Sequence, residues 1–367
     1  MTDAVAESAS TQETPDSVHE RYAWLDRARG LVALLYIISA VTGALGGSVL
    51  EKDYPIGPTY LDHGYSYYSG FPAMITLIDV GQPMFMFILG FVAYIAFSSR
   101  LRKRSAASAW LYAGRRVGVL YLLSFANGLL LMPFLEGRRA YWSEILYDDV
   151  LSKLALAALA SYVAIYLVRT ADRRVLVGVG VLVVHLYLCA FYLVDRYPWL
   201  DNMLGRPRFP ICTMNLAAVA VIGSGFAQWL ERNRDDVRVA FRERIVPASV
   251  AAVIACYCVE WIQPSEHHDM TTALALMAVG LSGLMVAASY TFHEFGFKLP
   301  FLQPLGKNLL LVFLVASLGL DHYVDLFPDE MLESYPYLTL VLVGILPVAV
   351  LTAMTAFLEK RNIVIRL

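Results

Sequence analysis

Charged side chains are scarce in this sequence. Only 16% of its 367 residues are Asp, Glu, Lys or Arg, whereas 58% are hydrophobic. A soluble globular chain carries about 25% charged residues, so this chain has too few charges to cover a water-facing surface of its own. The net charge of −2 says nothing about binding partners, because the positive and negative charges lie in different parts of the chain.

Cysteine is also rare, and its spacing is not that of a metal site. The four cysteines are Cys189, Cys212, Cys256 and Cys258. All lie in or beside apolar runs, and we interpret them as small buried hydrophobic residues. The run from Glu266 to Asp269 offers two histidines and two acids, but adjacent histidines point apart on most backbones and no third ligand is evident. We therefore expect no metal.

The N-terminal segment lacks the basic start and apolar core of a signal peptide. Residues 1–20 are rich in Ser, Thr, Glu and Asp and contain no aromatic residue. We predict that they form a disordered cytoplasmic tail. Residues 21–367 are predicted to form a single transmembrane domain with no inserted soluble domain.

Long apolar runs fill the rest of the chain. A bilayer core about 30 Å thick needs about 20 apolar residues in a helix. The runs lack the alternation of barrel strands, so we predict an all-α integral membrane bundle of about ten transmembrane helices. The predicted spans are Gly30–Leu50, Ala73–Phe97, Val117–Leu135, Val150–Val168, Val175–Val194, Ile211–Leu230, Ile245–Ile262, Met270–Phe292, Leu305–Val324 and Tyr337–Leu358.

Basic residues mark alternate connectors. Most of the 29 Lys and Arg residues lie before the first span, after the even-numbered spans and at the C-terminal end. The positive-inside rule then places both termini in the cytoplasm. The opposite loops hold most of the loop histidines and many acids.

Asp79 is the clearest ionisable residue inside a predicted span. Such a group is costly in hydrocarbon and suggests function by default. Asp79 is either a structural acid capped by a neighbouring helix or an acid that lines a polar cavity. His185 is alone in an apolar run, and we interpret it as a hydrogen-bonded core histidine.

The loop before Asp79 contains His63 and many Tyr and Gly residues. Tyrosine clusters suit a membrane interface, and they also suit stacking on sugar rings. A histidine titrates near neutrality, so His63 with a carboxylate within reach would form an acid–base pair. The spacing alone leaves both interpretations open.

Five motifs follow one another along the chain, and His63 precedes the second of them. They read Trp24-Leu-Asp26-Arg27-Ala-Arg29-Gly30-Leu, Asp79-Val-Gly-Gln-Pro83-Met-Phe-Met-Phe-Ile-Leu-Gly90, Gly114-Arg115-Arg116-Val-Gly-Val-Leu, Val150-Leu-Ser-Lys-Leu-Ala-Leu and Pro304-Leu-Gly306-Lys307-Asn308-Leu-Leu. From about Arg21 onward the chain resembles the heparan-α-glucosaminide N-acetyltransferase family of transmembrane acyltransferases and its bacterial relatives. It departs from the family pattern in a longer interval between His63 and Asp79 and in lacking Trp-x-Gly after the histidine.

The resemblance implies a central pore and a membrane acyltransferase. The enzyme would move an acetyl group from cytosolic acetyl-CoA to an amino or hydroxyl group of an extracytoplasmic carbohydrate. His63 and Asp79 would be catalytic, and Asn308 would belong to the acyl-CoA pocket. The basic residues predicted to bind CoA are Arg29, Arg115, Arg116 and Lys307. The alternative interpretation is that charges at these positions only set the topology.

The expected setting follows from the same resemblance. The expected partners are acetyl-CoA, a sugar or glycan, the lipid bilayer and a second copy of the chain in a homodimer, without nucleic acid. The expected location is the bacterial inner membrane.

A proton-coupled membrane transporter is the alternative function. An intramembrane Asp79 with histidines in the loops suits proton coupling. The sequence shows neither an inverted repeat nor a pair of helices broken by Gly or Pro, which many transporters have. A sensor or an assembly scaffold is a third class.

Overall fold

The computed structural model describes residues 23–50, 75–76, 79–131, 142, 145–146, 149–190, 211–263, 265, 270–297, 299–324 and 326–363. Every regular element in these ranges is a helix. The predicted tail at residues 1–20, His63 and the run from Glu266 to Asp269 lie outside the described residues.

The helices are numbered in chain order. The first six are α1 (Ala23–Leu50), α2 (Gly81–Lys103), α3 (Ala106–Ala126), α4 (Val150–Leu167), α5 (Ala171–Ala190) and α6 (Ile211–Arg232). Next, α7 comprises Val237–Ala240, the π-helical Phe241–Ile245 and Val246–Glu260, and α8 is Thr272–Glu294. The last are α9 (Leu302–Lys307), α10 (Leu309–Val324), α11 (Asp329–Ser334) and α12, which comprises Pro336–Thr339, the π-helical Leu340–Ile345 and Leu346–Lys360. A π-helical turn, Asn127–Leu131, continues α3.

Several helices are long and apolar enough to cross a membrane. Within the described residues there are five: Gly81–Lys103, Val150–Leu167, Thr213–Arg232, Thr272–Glu294 and Tyr337–Lys360. They indicate a multi-pass integral membrane protein and confirm the predicted all-α class.

Several helices start at residues other than those predicted, and two of these differences have a local reason. The Ser105 hydroxyl accepts the Ser108 N–H at 3.2 Å, so this N-cap starts α3 well before the predicted Val117. Arg115 and Arg116 therefore lie on a helix and not in a connector. Conversely, α2 starts at Gly81 and not at Ala73, because the chain before it is a turn at residues 79–80.

The ninth predicted span is divided at Asn308. This residue has φ −108° and ψ 28°, and its N–H caps α9 by donating to the carbonyl of Pro304 at 3.1 Å. The helix then resumes as α10, in which the Val312 N–H donates to the Asn308 carbonyl at 3.1 Å. A short α9 and a longer α10 therefore replace one continuous helix.

The central helix of the bundle is α6. It packs against α2, α4, α5 and α8. Of the residues in its apolar stretch 89% are buried, compared with 24% for α12. Glycines bring α2 and α6 together, because a methyl group at Gly90 would lie 1.8 Å from the Ala220 carbonyl oxygen. Such backbone-to-backbone packing is typical of helices in membranes, where lipid removes the hydrophobic drive for association.

Candidate functional site

A small cavity of about 50 Å³ lies among α1, α2, α3, α4 and α10. It is partly open, and most of its wall is aliphatic or aromatic. Its lining residues are Arg29, Phe85, Ile88, Leu89, Val92, Arg116, Leu120, Leu154, Ala158, Leu309 and Leu310. Two of the arginines predicted to bind CoA therefore share one cavity.

Arg29 comes from the second turn of α1. Its guanidinium donates to Asp26 Oδ1 at 2.8 Å, one turn earlier on the same helix. This pair orients the arginine toward the neighbouring helices. Arg27, two residues earlier, lies toward α8, where its Nη1 is 3.3 Å from His293 Nδ1. The helix therefore sends its two basic residues to different neighbours, and only Arg29 reaches the cavity.

Arg116 comes from α3 and is held by an aromatic residue. Its Nη1 donates to the hydroxyl of Tyr112 at 2.7 Å. The guanidinium of Arg100 stacks on the same ring, 3.6 Å from the centroid. Because Tyr112 contacts both cations, it positions two positive charges close to the cavity.

The first and last motifs meet beside this cavity. A methyl group at Gly30 would lie 1.8 Å from the Leu302 carbonyl oxygen, and one at Gly306 would lie 1.7 Å from the Asp26 carbonyl oxygen. Any larger side chain at either position would force α1 away from α9. The two glycines therefore fix the distance between Arg29 and the break at Asn308.

Asn308 is fully buried at this break. Its side-chain amide donates to the Pro304 carbonyl at 3.4 Å, and the next two residues, Leu309 and Leu310, line the cavity. Asn308 is thus adjacent in sequence to the cavity that Arg29 and Arg116 line.

Two other predicted CoA ligands are directed elsewhere. The Lys307 ammonium donates to Glu359 Oε1 on α12 at 2.6 Å. Arg115 is the residue before Arg116 on α3, and the turn of the helix leaves its side chain exposed. Neither Lys307 nor Arg115 lines the cavity. Arg115 and Arg116 are adjacent in sequence, but the helical turn gives them different surroundings.

Asp79 is buried in the turn just before α2. Its Oδ2 accepts the Thr76 N–H at 2.9 Å and the Thr76 hydroxyl at 3.1 Å. Thr-x-x-Asp before an apolar run is a pattern visible in the sequence, and here it closes the turn before α2, whose own N-cap is Val80. Asp79 is not among the residues that line the cavity, and its predicted partner His63 lies outside the described residues.

His185 is fully buried, as the core interpretation predicted. Its Nδ1 lies 2.8 Å from Thr272 Oγ1 and 3.0 Å from Asn215 Nδ2. The Asn215 amide also donates to the Met270 carbonyl at 2.6 Å. This polar cluster joins α5, α6 and α8. Within the described residues no group of three or more His, Cys, Asp or Glu side chains is placed to hold a metal ion.

A buried arginine on α5 is not among the predicted site residues. Arg174 is 1% exposed and donates to Gln228 Oε1 on α6. It also lies over the ring of Tyr94, 4.6 Å from the centroid. The Tyr94 hydroxyl donates to Glu231 at 2.7 Å. An arginine in the first turn of an apolar helix was the available signal, and we interpreted it only as a topology determinant.

A second cavity, also of about 50 Å³, lies among α1, α2, α6 and α7. Its charged lining residues are Glu231 and Arg234, and Arg102 donates to the Glu231 carboxylate at 2.9 Å. Here the acid itself lines the cavity, whereas the charged lining residues of the first cavity are both arginines and the acid bonded to Arg29, Asp26, is not part of the lining. The first cavity is therefore the better site for an anion with an apolar part.

No protein-family model matches the chain, and no curated protein shows significant similarity to it. The resemblance to transmembrane acyltransferases consequently rests on the five motifs and remains a prediction.

Proposed function

We propose that the chain is a membrane acyltransferase. It moves an acetyl or other acyl group from cytosolic acyl-CoA to an amino or hydroxyl group of an extracytoplasmic carbohydrate. The observation that carries the proposal is the convergence of Arg29 and Arg116 at one cavity with apolar walls. Guanidinium groups bind phosphate through charge-assisted hydrogen bonds, and the apolar wall suits the pantetheine arm and the acyl group.

The proposal includes the topology that this chemistry needs. About ten helices cross the bacterial inner membrane, both termini are cytoplasmic, and a pore connects the two sides. The Arg29 end of the bundle faces the cytoplasm, because the basic residues cluster there. The Asp79 end faces the acceptor.

The transfer uses a base near Asp79. A neutral His63 removes the proton from the acceptor hydroxyl or amine as its oxygen or nitrogen attacks the thioester carbon. The carbon–sulfur bond breaks, and the CoA thiolate takes up a proton. Asp79 orients the imidazole and stabilises its protonated form, as the acid of a catalytic triad does. An acetyl-histidine intermediate is an alternative route to the same products.

The test is acetyl-CoA binding by the purified full chain, with single charge removals at adjacent positions. A hydrogen bond to a charged group contributes about 1.5–3 kcal/mol, so Arg29→Gln and Arg116→Gln should each raise Kd about 10–100-fold. Arg115→Gln is the matched control, since its side chain is exposed and outside the cavity. An equal effect of Arg115→Gln would show that binding depends only on surface charge.

Catalysis is tested separately with a panel of sugar acceptors. Wild-type protein should transfer the acetyl group and hydrolyse acetyl-CoA slowly. His63→Ala should abolish transfer without loss of the folded protein, and Asp79→Asn should lower it. Unchanged transfer by His63→Ala would remove the catalytic assignment, and absence of any CoA binding would favour the transporter.

A further inference from the structure

Three aromatic side chains meet where the Arg29 cavity ends. They come from α1 (Tyr36), α2 (Phe85) and α10 (Phe313). The centroid of the Phe313 ring is 4.5 Å from that of Tyr36 and 4.5 Å from that of Phe85. The Tyr36 and Phe85 centroids are 6.3 Å apart. We call these three side chains the ring barrier.

The ring barrier separates the cavity from Asp79 along α2. The cavity is lined on this helix by Val92, Leu89, Ile88 and Phe85, in order away from the arginines. The first residue of α2, Gly81, lies four residues beyond Phe85, which is about 6 Å along the helix, and Asp79 lies in the turn before it. Phe85 therefore belongs to both the end of the cavity and the barrier.

A hydrogen bond fastens the barrier on its far side. The Tyr36 hydroxyl lies 2.7 Å from Ser317 Oγ, one turn beyond Phe313 on α10. Ser317 in turn donates to the Phe313 carbonyl at 2.8 Å. The contact links α1 to α10 just where their rings stack, so it stabilises the closed arrangement.

The distance along α2 from the cavity to Asp79 matters because a bound donor would have to span it. This inference rests on the proposed function. From Val92 to Gly81 the helix rises about 17 Å, and Asp79 lies in the turn beyond Gly81. A donor whose phosphates bind Arg29 and Arg116 meets the three rings when its thioester extends along α2 toward Asp79. We propose that the ring barrier is a gate, closed in this structure, that opens when the pantetheine arm displaces the aromatic side chains.

The gate can be tested without any donor, by cysteine labelling in sealed membrane vesicles. In a chain whose four native cysteines are replaced, Leu89→Cys reports on the cavity. Ser39→Cys reports on the far side, since the Ser39 Cβ is 3.7 Å from where a Cβ at Gly81 would lie, two residues after Asp79. A membrane-impermeant thiol reagent is added on the side that the Arg29 end faces.

With the barrier intact, the reagent should label Leu89→Cys and not Ser39→Cys. Adding Phe85→Ala, or separately Phe313→Ala, should raise labelling of Ser39→Cys about tenfold or more. Removing either ring leaves a cavity between the helices that is the size of several methyl groups. Tyr36→Phe keeps the ring and removes the hydrogen bond, and should raise labelling about fivefold.

The matched control is Phe87→Ala. Phe87 is also buried on α2, but its ring packs on Phe226 of α6, with centroids 5.2 Å apart, and it does not line the cavity. Labelling of Ser39→Cys should stay low in this variant. Efficient labelling with all three rings present, or no increase in either alanine variant that is labelled normally at Leu89→Cys, would overturn the gate.

Acetyl-CoA added in the same experiment separates this inference from the proposed function. If both hold, the donor should slow labelling of Leu89→Cys. If the ring variants behave as expected and acetyl-CoA has no effect, the barrier stands and the acyltransferase proposal is overturned.

Discussion

The contact between α1 and α9 predicts an unusually large effect of adding one methyl group. A Cβ at position 306 would lie 1.7 Å from the Asp26 carbonyl oxygen, whereas real Cβ atoms essentially never approach other atoms closer than 3.0 Å. In Gly306→Ala the two helices must therefore move apart by more than about 1.3 Å at this contact, because the obstructing atom is backbone and cannot rotate away. Overpacking of this kind costs about 1–3 kcal/mol.

The expected consequence has two parts. The apparent melting temperature of the detergent-purified protein, measured as loss of its monodisperse gel-filtration peak after heating, should fall by several degrees. Binding of acetyl-CoA should weaken as well, since α1 carries Arg29 and the chain after Gly306 carries Asn308 and Leu309. Gly30→Ala should behave in the same way, because its methyl group would meet the Leu302 carbonyl oxygen.

Gly118→Ala on α3 is the matched control. A Cβ there would have no neighbour within 4 Å, and alanine favours a helix over glycine by about 1 kcal/mol. This variant should be at least as stable as wild type. If Gly306→Ala were as stable as Gly118→Ala, the close contact between α1 and α9 would be refuted.

Two further predictions concern polar groups that the sequence analysis did not single out. Burial raises the pKa of the Asp149 carboxyl above its ordinary 3.8, so the folded state binds the proton more tightly. Thermal stability should therefore fall as the pH rises from about 3.8 through the raised pKa. Asp149→Asn should remove this pH dependence and keep the α4 N-cap, whereas Asp149→Ala should cost about 1 kcal/mol in a thermal assay. Gln228→Leu should destabilise the protein by about 1.5–3 kcal/mol and by more than Arg174→Met, because Arg174 Nε and Nη1 already have no acceptor among the described residues. Comparable losses in the two variants would contradict this reasoning.

The fold class could be predicted from the sequence because lipid leaves a continuous apolar run few alternatives to a helix. Helix ends were less predictable, since hydropathy does not detect a cap. The Ser105 cap starts α3 far ahead of its apolar part, and the Asn308 turn divides an apolar run that hydropathy treats as continuous. Both signals are single polar side chains.

The candidate site was predictable only in its residue types. Basic residues near the ends of helices were visible in the sequence, but helical phase decides that Arg116 faces the cavity and Arg115 does not. The partner of Asp79 was also visible, in the Thr-x-x-Asp pattern at Thr76. The apolar wall could not be predicted, because Phe85, Leu120 and Leu154 come from three helices and resemble every other apolar residue until those helices pack.

The burial of α6 has a consequence for how the protein is made. Its partner α2 ends at Lys103, and α6 begins only at Ile211, so the ribosome completes α3, α4 and α5 before the surface around Gly90 on α2, here called the Gly90 groove, can receive its neighbour. During that interval the groove faces lipid or a transient companion. Assembly of the middle of the bundle must therefore wait for late synthesis, and a chain terminated after α5 would present an uncovered glycine surface to membrane quality control.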